Sequence, residues 1–399
     1  MAEALDEVLI LGAGIAGCAL AHHLRARGVG PVRVYDPRTP AAGASGRAAG
    51  VVTEQLWFRW DVEITRESHE EYRTLTKRWD PSAYVRNGFL RWTRQAEIAP
   101  LVRDAVERLR GWGVAVEEVP TRELGELLPA GRFDDVEVAI LSRKDACVTP
   151  SALTTIYAEQ ARHAGAEFEL GVPYRTLRRS ADRWEMELGD RTVRARRLVV
   201  AAGAWSKRIL AGLGRPLPLA PYRTQAALLR PSRAPASAFP TAHDLDTDVY
   251  LRPESNGRIL GGDGTEKVEA DPERFVPGGD ASFLEHMAES LSDRFPGWAD
   301  SEVVAAWAGV CTATPDRRPM IGPVTGAEGL YALTGFNGFG VMRAGGAARR
   351  LADLLTEGDE AHRPREALQP VWPGRFGGAG GPFAPKPGFT LEAGDDPRI

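Results

Sequence analysis

Cysteine is scarce in this chain, which has only three in 399 residues. Cys18, Cys147 and Cys311 lie far apart, and their spacing is typical of neither a disulfide framework nor a zinc site. No apolar run approaches the roughly 20 residues of a membrane-spanning helix. The first strand begins so early that no room is left for a signal peptide. These absences favour a reducing compartment, and we expect a soluble cytoplasmic protein without membrane contacts.

Neither sign of charge is in excess. The chain has 50 Lys and Arg against 54 Asp and Glu, a net charge of −4, and its basic residues are scattered. We therefore expect no nucleic-acid partner, because such a partner requires a concentrated basic surface. The histidines form no metal-binding or catalytic pattern, so no metal site is expected: His22, His23, His69, His163, His243, His286 and His362.

A glycine pattern near the start is the most informative feature. Val8–Leu11 is a run of four apolar residues, typical of a strand buried on both faces of a parallel sheet. Gly12, Gly14 and Gly17 follow with the G-x-G-x-x-G spacing. The first glycine permits a tight turn, the second lets a pyrophosphate approach the backbone, and the third lets the next helix pack against the strand.

The context of these glycines strengthens the signal. Ile15–Arg27 has apolar residues at helical spacing, and Val32–Asp36 is a second strand that ends in an acid. Asp36 lies about 20 residues beyond Gly17, where a carboxylate accepts a hydrogen bond from a ribose hydroxyl. The pattern predicts dinucleotide binding over a plain Rossmann-like core, and Asp36 favours NAD or FAD over NADP because it repels a 2′-phosphate.

Three further segments rich in small residues predict contacts with a bulky ligand. Ala41–Val52 allows the backbone to lie flat against such a group, with Ser45 and Arg47 as polar contacts, although a flexible loop is the alternative. Arg197–Ser206 is a buried strand that ends in small residues, which also suits a plain strand–turn–helix. Gly335–Gly340 lies between a strand and a helix, so that its backbone N–H groups converge on an electron-rich group.

Other segments predict a second unit. Leu217–Gly262 has the pattern of strands in an antiparallel sheet, and Ala281–Arg294 that of a helix. We therefore predict an α/β protein in which a Rossmann-like domain is interleaved with an α+β substrate domain. The predicted dinucleotide-binding domain comprises residues 1–78, 143–215 and 305–372, the substrate domain residues 79–142 and 216–304, and the Pro/Gly-rich tail residues 373–399.

Together these pieces resemble the flavin-dependent amine oxidoreductases related to D-amino-acid oxidase, glycine oxidase and sarcosine oxidase. The resemblance covers nearly the whole chain to about Leu355. It rests on the segments above and on Asp145–Pro150, Ala201–Trp205 and Thr314–Asp316 with Pro319–Gly322, all in the order that the family shows. Each segment alone is common, whereas the complete series is not.

The resemblance implies a Rossmann-like FAD-binding domain with an interleaved substrate domain built on an antiparallel sheet. Adenine is expected near Asp36 and Tyr174, the pyrophosphate on the glycine turn, and the flavin ring against Gly43–Val52 and Gly335–Met342. The implied FAD-binding residues are Gly12, Gly14, Ile15, Ala16, Gly17, Asp36, Ser45, Gly46, Arg47, Ala49, Gly50, Val51, Tyr174, Ala202, Gly203, Trp205, Gly335, Asn337, Gly338, Phe339, Gly340, Val341 and Met342.

Some members of this family hold FAD covalently. They use a histidine where Arg47 stands here, or a cysteine near the position of Gly309. Because neither residue is present, the resemblance implies non-covalent FAD. Cys311 lies two residues beyond Gly309 and is expected to be unattached.

The implied reaction is oxidation of the C–N bond of an amino acid or secondary amine. Hydride passes to flavin N5, the imine product hydrolyses to a carbonyl and an amine, and O2 reoxidises the flavin to give H2O2. The flavin carries this chemistry, so no catalytic side chain is expected. A dehydrogenase that passes electrons to a quinone or a partner flavoprotein is the alternative, followed by an FAD monooxygenase that requires NAD(P)H. The sequence does not indicate the oligomeric state.

The substrate residues are the least determined. Tyr250 matches a substrate-contacting tyrosine of glycine oxidase-like enzymes, although it also suits a half-exposed sheet position. Cys311 stands where glycine oxidases and D-amino-acid oxidases have an arginine that pairs with the substrate carboxylate. Arg343 and Arg223 are the alternative cations, or structural or phosphate-facing arginines. The missing arginine favours an N-substituted glycine with a bulky or apolar substituent over free glycine.

Overall fold

A computed structural model describes residues 5–235, 239–263, 269–358 and 366–376, and the statements below concern those residues. They form two sheets of eight strands each and one of three. The strands are β1 (Leu5–Leu11), β2 (Val32–Asp36), β3 (Val51–Val52), β4 (Tyr84–Val85), β5 (Phe89–Thr93), β6 (Glu117–Glu118), β7 (Val138–Ser142), β8 (Ala146–Val148), β9 (Glu167–Leu170), β10 (Leu177–Ser180), β11 (Arg183–Leu188), β12 (Arg191–Val200), β13 (Ala220–Arg230), β14 (Thr241–Asp244), β15 (Tyr250–Pro253), β16 (Ile259–Gly262), β17 (Glu302–Ala313), β18 (Met320–Pro323) and β19 (Leu330–Thr334). The α-helices are α1 (Ile15–Ala26), α2 (Arg59–Trp79), α3 (Ala99–Gly111), α4 (Thr121–Leu127), α5 (Pro150–His163), α6 (Ser206–Gly212), α7 (Ala281–Arg294) and α8 (Gly340–Glu357).

The first sheet has a parallel centre. Strands β9, β2, β1, β12 and β19 lie side by side in that order and run parallel. Val8 and Ile10 of β1 belong to one apolar core, and Leu9 and Leu11 belong to the core on the opposite face. The run of apolar residues in β1 is therefore buried on both faces, as predicted. Helices α1, α5 and α8 cover the face of Val8 and Ile10.

The second sheet is largely antiparallel. Its order is β17-β13-β16-β15-β14-β5-β7-β6, and only the β14–β5 pair within it is parallel. Strands from two distant parts of the sequence, 89–142 and 220–262, meet here, which gives the interleaved α/β architecture that the sequence predicts. Helix α7 packs on one face through Phe283, Met287 and Leu291. Residues on the opposite face of this sheet line the cavity described below.

Two predicted domain limits are wrong in detail. The limit at 304/305 cuts through β17, which runs its whole length beside β13 in the second sheet. The limit at 78/79 assigns β4 to the substrate domain, although β4 pairs with β8 in the three-stranded sheet. Both errors arise because pairing between distant segments leaves no local mark on the sequence.

Helices α2 and α8 approach closely because α8 has glycine at the contact. A Cβ atom on Gly346 would lie 2.5 Å from the Ile64 carbonyl oxygen, and one on Gly345 would lie 3.0 Å from the Tyr72 ring. At the end of the contact that faces the cavity, Arg343 Nη2 donates to Asp61 Oδ2 at 2.8 Å. The side chains of this ion pair are 1% and 0% exposed.

The start of the predicted tail is ordered against the first sheet. Residues 373–376 form a short 3-10 turn, and Arg375 donates to both carboxylate oxygens of Asp316 at 2.7 and 2.8 Å. Tail residues 377–399 lie outside the described residues, as does His362. No helix in the described part of the chain combines the length and apolar character needed to cross a membrane. The cytoplasmic location stays a prediction.

Asp145 joins the three-stranded sheet to the segment that follows β3. Its Oδ2 accepts from Thr53 Oγ1 at 2.5 Å and its Oδ1 from the Glu54 backbone N–H at 3.2 Å. The residue is only 2% exposed. Burial raises the pKa of Asp145 from 3.8 to about 7, although the two hydrogen bonds act in the opposite direction.

This pKa shift predicts that the stability of the fold declines as the pH rises. The folded state holds the Asp145 proton more tightly than the unfolded state, so the stabilisation is full below a pH of about 4 and is lost as the pH rises through about 7. We expect Asp145→Asn to reduce the fall in melting temperature between about pH 5 and 8 by a few degrees. Melting curves of both proteins across this range measure it, and parallel pH profiles would contradict the assignment.

Candidate active site

A cavity of about 1100 Å³ lies between the carboxyl edge of the parallel sheet and one face of the second sheet. Gly12, Ala202 and Leu333 contribute from the first sheet, and Tyr250 and Trp307 from the second. A cavity at the ends of parallel strands is the usual ligand position in folds of this kind. Its size and its two-sided lining suit a ligand that reaches across both sheets.

The glycine turn forms one end of this cavity. Gly12 has φ = +114°, and a Cβ atom on it would lie 2.5 Å from the Ala201 carbonyl oxygen. A Cβ atom on Gly17 would lie 2.0 Å from the Gly12 carbonyl oxygen. Helix α1 begins directly after Gly14, and the Ile15 backbone N–H donates to Ser45 Oγ at 3.0 Å. The helix thus presents backbone N–H groups and its positive end to the cavity, which suits a pyrophosphate.

Asp36 lines the cavity where β2 ends. Its Oδ2 accepts from the Ala13 N–H and its Oδ1 from the Arg38 N–H, both at 2.9 Å. The carboxylate is therefore fixed in place, and each oxygen keeps a lone pair for a hydroxyl donor. The ring of Tyr174 lies edge-on to Tyr35, with centroids 5.7 Å apart. These contacts form a partly aromatic site beside an oriented carboxylate, as the adenosine end of a dinucleotide requires.

The second glycine segment lies at the other end of the cavity, before α8. Asn337 (φ = +56°) is buried, and its side chain donates to Gly335 O at 2.6 Å and to Thr314 Oγ1 at 3.1 Å. Its Oδ1 accepts from the Thr314 N–H at 3.0 Å, and its own N–H donates to Thr312 O at 2.9 Å. Asn337 therefore holds the segment against β17. Because α8 begins at Gly340, the positive end of a long helix also faces this part of the cavity.

Most residues predicted to bind the cofactor line this cavity. Gly17 and Gly46 do not, and both instead allow close backbone approach, because a Cβ atom on Gly46 would lie 2.3 Å from Ala41 O. The predicted residues that do line the cavity are Gly12, Gly14, Ile15, Ala16, Asp36, Ser45, Arg47, Ala49, Gly50, Val51, Tyr174, Ala202, Gly203, Trp205, Gly335, Asn337, Gly338, Phe339, Gly340, Val341 and Met342.

The residues present fit an extended FAD molecule. The first residues of two helices, α1 and α8, line the same cavity. Asp61 and Arg343 also line it, and they form a buried ion pair with each other. At and near the two positions where the resemblance places covalent attachment in some members of the family, this chain has Arg47 and Gly309, neither of which is a suitable nucleophile.

The second sheet supplies the other wall through alternate residues of its strands. Arg91, His243 and Tyr250 are register neighbours on β5, β14 and β15, and the same row reaches Ala226 on β13 and Trp307 on β17. All five line the cavity. Because successive residues of a strand point to opposite faces, this row is fixed by pairing register and is not visible as a motif.

The predicted substrate residues fall into three groups. Tyr250 and Cys311 line the cavity, and Cys311 is the register partner of Tyr222. Arg343 lines it too, but its charge is balanced by buried Asp61. Arg223 does not line it, so its prediction as a substrate cation is wrong.

The reason for that error is strand alternation. Arg223 stands between two inward-facing residues of β13, and its side chain points outward, where it pairs with Asp280 at 2.5 Å and donates to Val276 O at 3.0 Å. The sequence pattern placed Arg223 within a segment of strands, but the pattern did not show on which face of the sheet the Arg223 side chain lies.

Among the cavity residues that the sequence analysis did not single out are two arginines. Arg317 lines the cavity beside Tyr222, and burial lowers its pKa to about 10. Arg91 is 4% exposed, and burial lowers its pKa to about 10 as well. Both guanidinium groups remain charged at neutral pH and gain from a nearby anion. The sequence signal for Arg317 was the Arg317-Arg318 pair that follows Thr314–Asp316. No sequence signal identified Arg91.

The structure brings histidines together with other polar residues in two places that the sequence did not reveal. His243 lines the cavity, its Nδ1 accepts from Arg91 Nε at 3.1 Å, and its Nε2 lies 2.9 Å from Asp248 Oδ1. Away from the cavity, His22 and His23 lie beside Glu71. Both groups combine residues that are remote in sequence, so no spacing rule reveals them.

Comparison with known proteins agrees with this geometry. The family described as FAD dependent oxidoreductase matches residues 7–354. Human mitochondrial dimethylglycine dehydrogenase is 25% identical over 93% of this chain, which spans only 44% of that protein. Glycine oxidase of Pseudomonas aeruginosa is 27% identical, with 88% of this chain and 95% of that protein covered.

Solved structures show the same fold. L-proline dehydrogenase from P. horikoshii has a TM-score of 0.83 at 23% identity, covering 89% of this chain and 94% of that one. Glycine oxidase from Geobacillus kaustophilus has a TM-score of 0.81 at 22% identity, covering 93% and 98%. The glycine turn, the oriented carboxylate and the family match agree, and this chain belongs to the family of FAD-dependent oxidoreductases, with FAD as its cofactor.

Proposed function

We propose that this chain oxidises the C–N bond of an N-substituted glycine, with O2 as the final electron acceptor and H2O2 as a product. When bound, FAD supplies the two-electron acceptor for this oxidation. The observation that carries the proposal is the position of Tyr250 and Arg317, which line the same cavity as the glycine segment before α8. An amine with a carboxylate can thus be held by protein groups on the side of the cavity opposite the cofactor-binding turns.

Arg317 is proposed to hold the substrate carboxylate. Its neighbour Tyr222 is the register partner of Cys311, so Arg317 lies close to the site of the arginine that glycine oxidases use. Burial opposes the charge of Arg317, and a bound carboxylate restores a favourable environment for it. Arg343 is the weaker candidate because Asp61 already neutralises it, so that it supplies N–H donors without net charge.

The N-substituent is proposed to face an aromatic region. Trp57, Phe58 and Phe89 line the cavity, and Phe339 stacks edge-on against Trp57 with centroids 5.4 Å apart. Such a surface excludes water and favours an apolar substituent over the bare amine of glycine. Excluding water also keeps the amine in its neutral form, which is the form that can be oxidised.

Two relatives bear on the electron acceptor. One is named a glycine oxidase and the other a dimethylglycine dehydrogenase. We take an oxidase as the first candidate, and a dehydrogenase that uses a quinone or a partner flavoprotein as the second. The dehydrogenase name also supports N-methylated glycines as a substrate class.

Anaerobic reduction tests the proposed function. We expect N-alkyl and N-benzyl glycines to bleach the flavin absorbance without NAD(P)H, and to do so faster than glycine or D-alanine. The same substrates in air should release H2O2. Bleaching without peroxide would favour the dehydrogenase, a requirement for NAD(P)H would favour a monooxygenase, and no bleaching by any amine would contradict the proposal.

Substitution of Arg317 tests the carboxylate site. Arg317→Met should raise KM for N-substituted glycines by roughly 10- to 100-fold, because a charge-assisted hydrogen-bonded pair is lost. The matched control is Arg223→Met, which removes the same group outside the cavity and should leave KM unchanged. Steady-state kinetics with a carboxylate-free amine complete the test. An equal rise in KM for the N-substituted glycines and for the carboxylate-free amine would show that Arg317 does not bind the carboxylate.

Denaturation tests the mode of FAD attachment. We expect acid-precipitated protein to be colourless and the supernatant to be yellow, because position 47 is arginine and position 309 is glycine. Mass spectrometry of the precipitate should give the mass of the unmodified chain. Yellow precipitate, with a flavin-modified peptide containing Cys311, would contradict non-covalent binding.

A further inference from the structure

Three metal-binding side chains meet away from the cavity, between α1 and α2. His22 and His23 lie in the second half of α1, and Glu71 lies on α2. Each offers one ligand atom, and the three atoms lie within 4.8 Å of one another. Two imidazole nitrogens and one carboxylate oxygen are a donor set typical of Zn²⁺, with a fourth position for water.

His23 provides a second observation. It is 6% exposed, and its Nε2 is buried without a geometrically aligned hydrogen bond among the described residues. The same atom lies 3.0 Å from Glu71 Oε1, so its close polar contact is with the carboxylate that would share the ion. Buried ring nitrogens are normally satisfied, and an ion between them would serve both groups.

Neighbouring residues orient the Glu71 carboxylate. Tyr157 Oη donates to Glu71 Oε1 at 2.7 Å, which fixes the carboxylate. Glu71 is 8% exposed, so little bulk water competes for its carboxylate.

One contact opposes a cation. Arg349 Nη2 lies 3.4 Å from Glu71 Oε2, with 41% of its side chain exposed. Its charge weakens the attraction of a divalent ion, although the partly exposed side chain can turn to solvent. We propose that His22, His23 and Glu71 bind one Zn²⁺ ion, which joins the helix after the glycine turn to the helix that packs against α8.

Zinc titration of the full-length, tag-free holoprotein tests this proposal. After removal of metals with EDTA and desalting, calorimetry with ZnCl2 at about pH 7.5 should show one equivalent bound. At a free zinc concentration about 100 times Kd, the melting temperature should rise by roughly 2–5 °C. The absence of any zinc binding to the wild type would overturn the proposal.

Variants separate this site from surface binding. Glu71→Gln and His23→Gln should each weaken zinc binding by roughly 10-fold or more. His163→Gln is the matched control, because His163 is an exposed histidine at the end of α5, and it should leave zinc binding unchanged. Loss of binding in His163→Gln but not in Glu71→Gln would overturn the assignment.

Arg349→Met provides a test that does not require removal of a ligand. Without the neighbouring positive charge, zinc affinity should rise several-fold, and the rise should shrink at high salt. This variant remains informative if the ligand substitutions prevent folding. Unchanged or weaker affinity in Arg349→Met would contradict a metal ion beside Glu71.

Discussion

Close backbone contact at the first glycine turn is the constraint on which the rest of the structure depends. The Gly12 carbonyl oxygen leaves no room for a side chain at Gly17, and the Ala201 carbonyl oxygen leaves none at Gly12. These contacts lock β1, β12 and α1 into one arrangement. Only in that arrangement do the start of α1 and the carboxylate of Asp36 face the same cavity.

The cavity combines two kinds of wall. Turns and helix starts of the parallel sheet provide backbone N–H groups, which suit a phosphate-bearing cofactor. The second sheet provides side chains at every other position, among them Arg91, His243 and Tyr250. The division follows from geometry, since strand ends expose backbone whereas a sheet face exposes side chains. Substitutions on that face can therefore change the substrate without disturbing the cofactor half.

The sequence predicted what is local. The glycine spacing, the acid at Asp36 and the strand–glycine–helix segment before α8 are contiguous patterns, and each contributes residues that line the cavity. Prediction failed where distant pairing decides the outcome. Arg223 was proposed as a cation to replace the arginine missing at Cys311, but the sequence did not show that its side chain lies on the outer face of its strand. Arg91 and His243 meet only through the parallel β14–β5 pair, whose residues are about 150 positions apart in sequence.

The hydrogen bonds of Asn337 have a mechanical consequence. Through Thr312 and Thr314 they fasten the glycine segment of the first sheet to the end of β17, a strand of the second. A hinge motion that separated the two sheets would have to break these hydrogen bonds beside the cavity. Entry of a reactant through side-chain rotation or loop shifts would leave these hydrogen bonds intact.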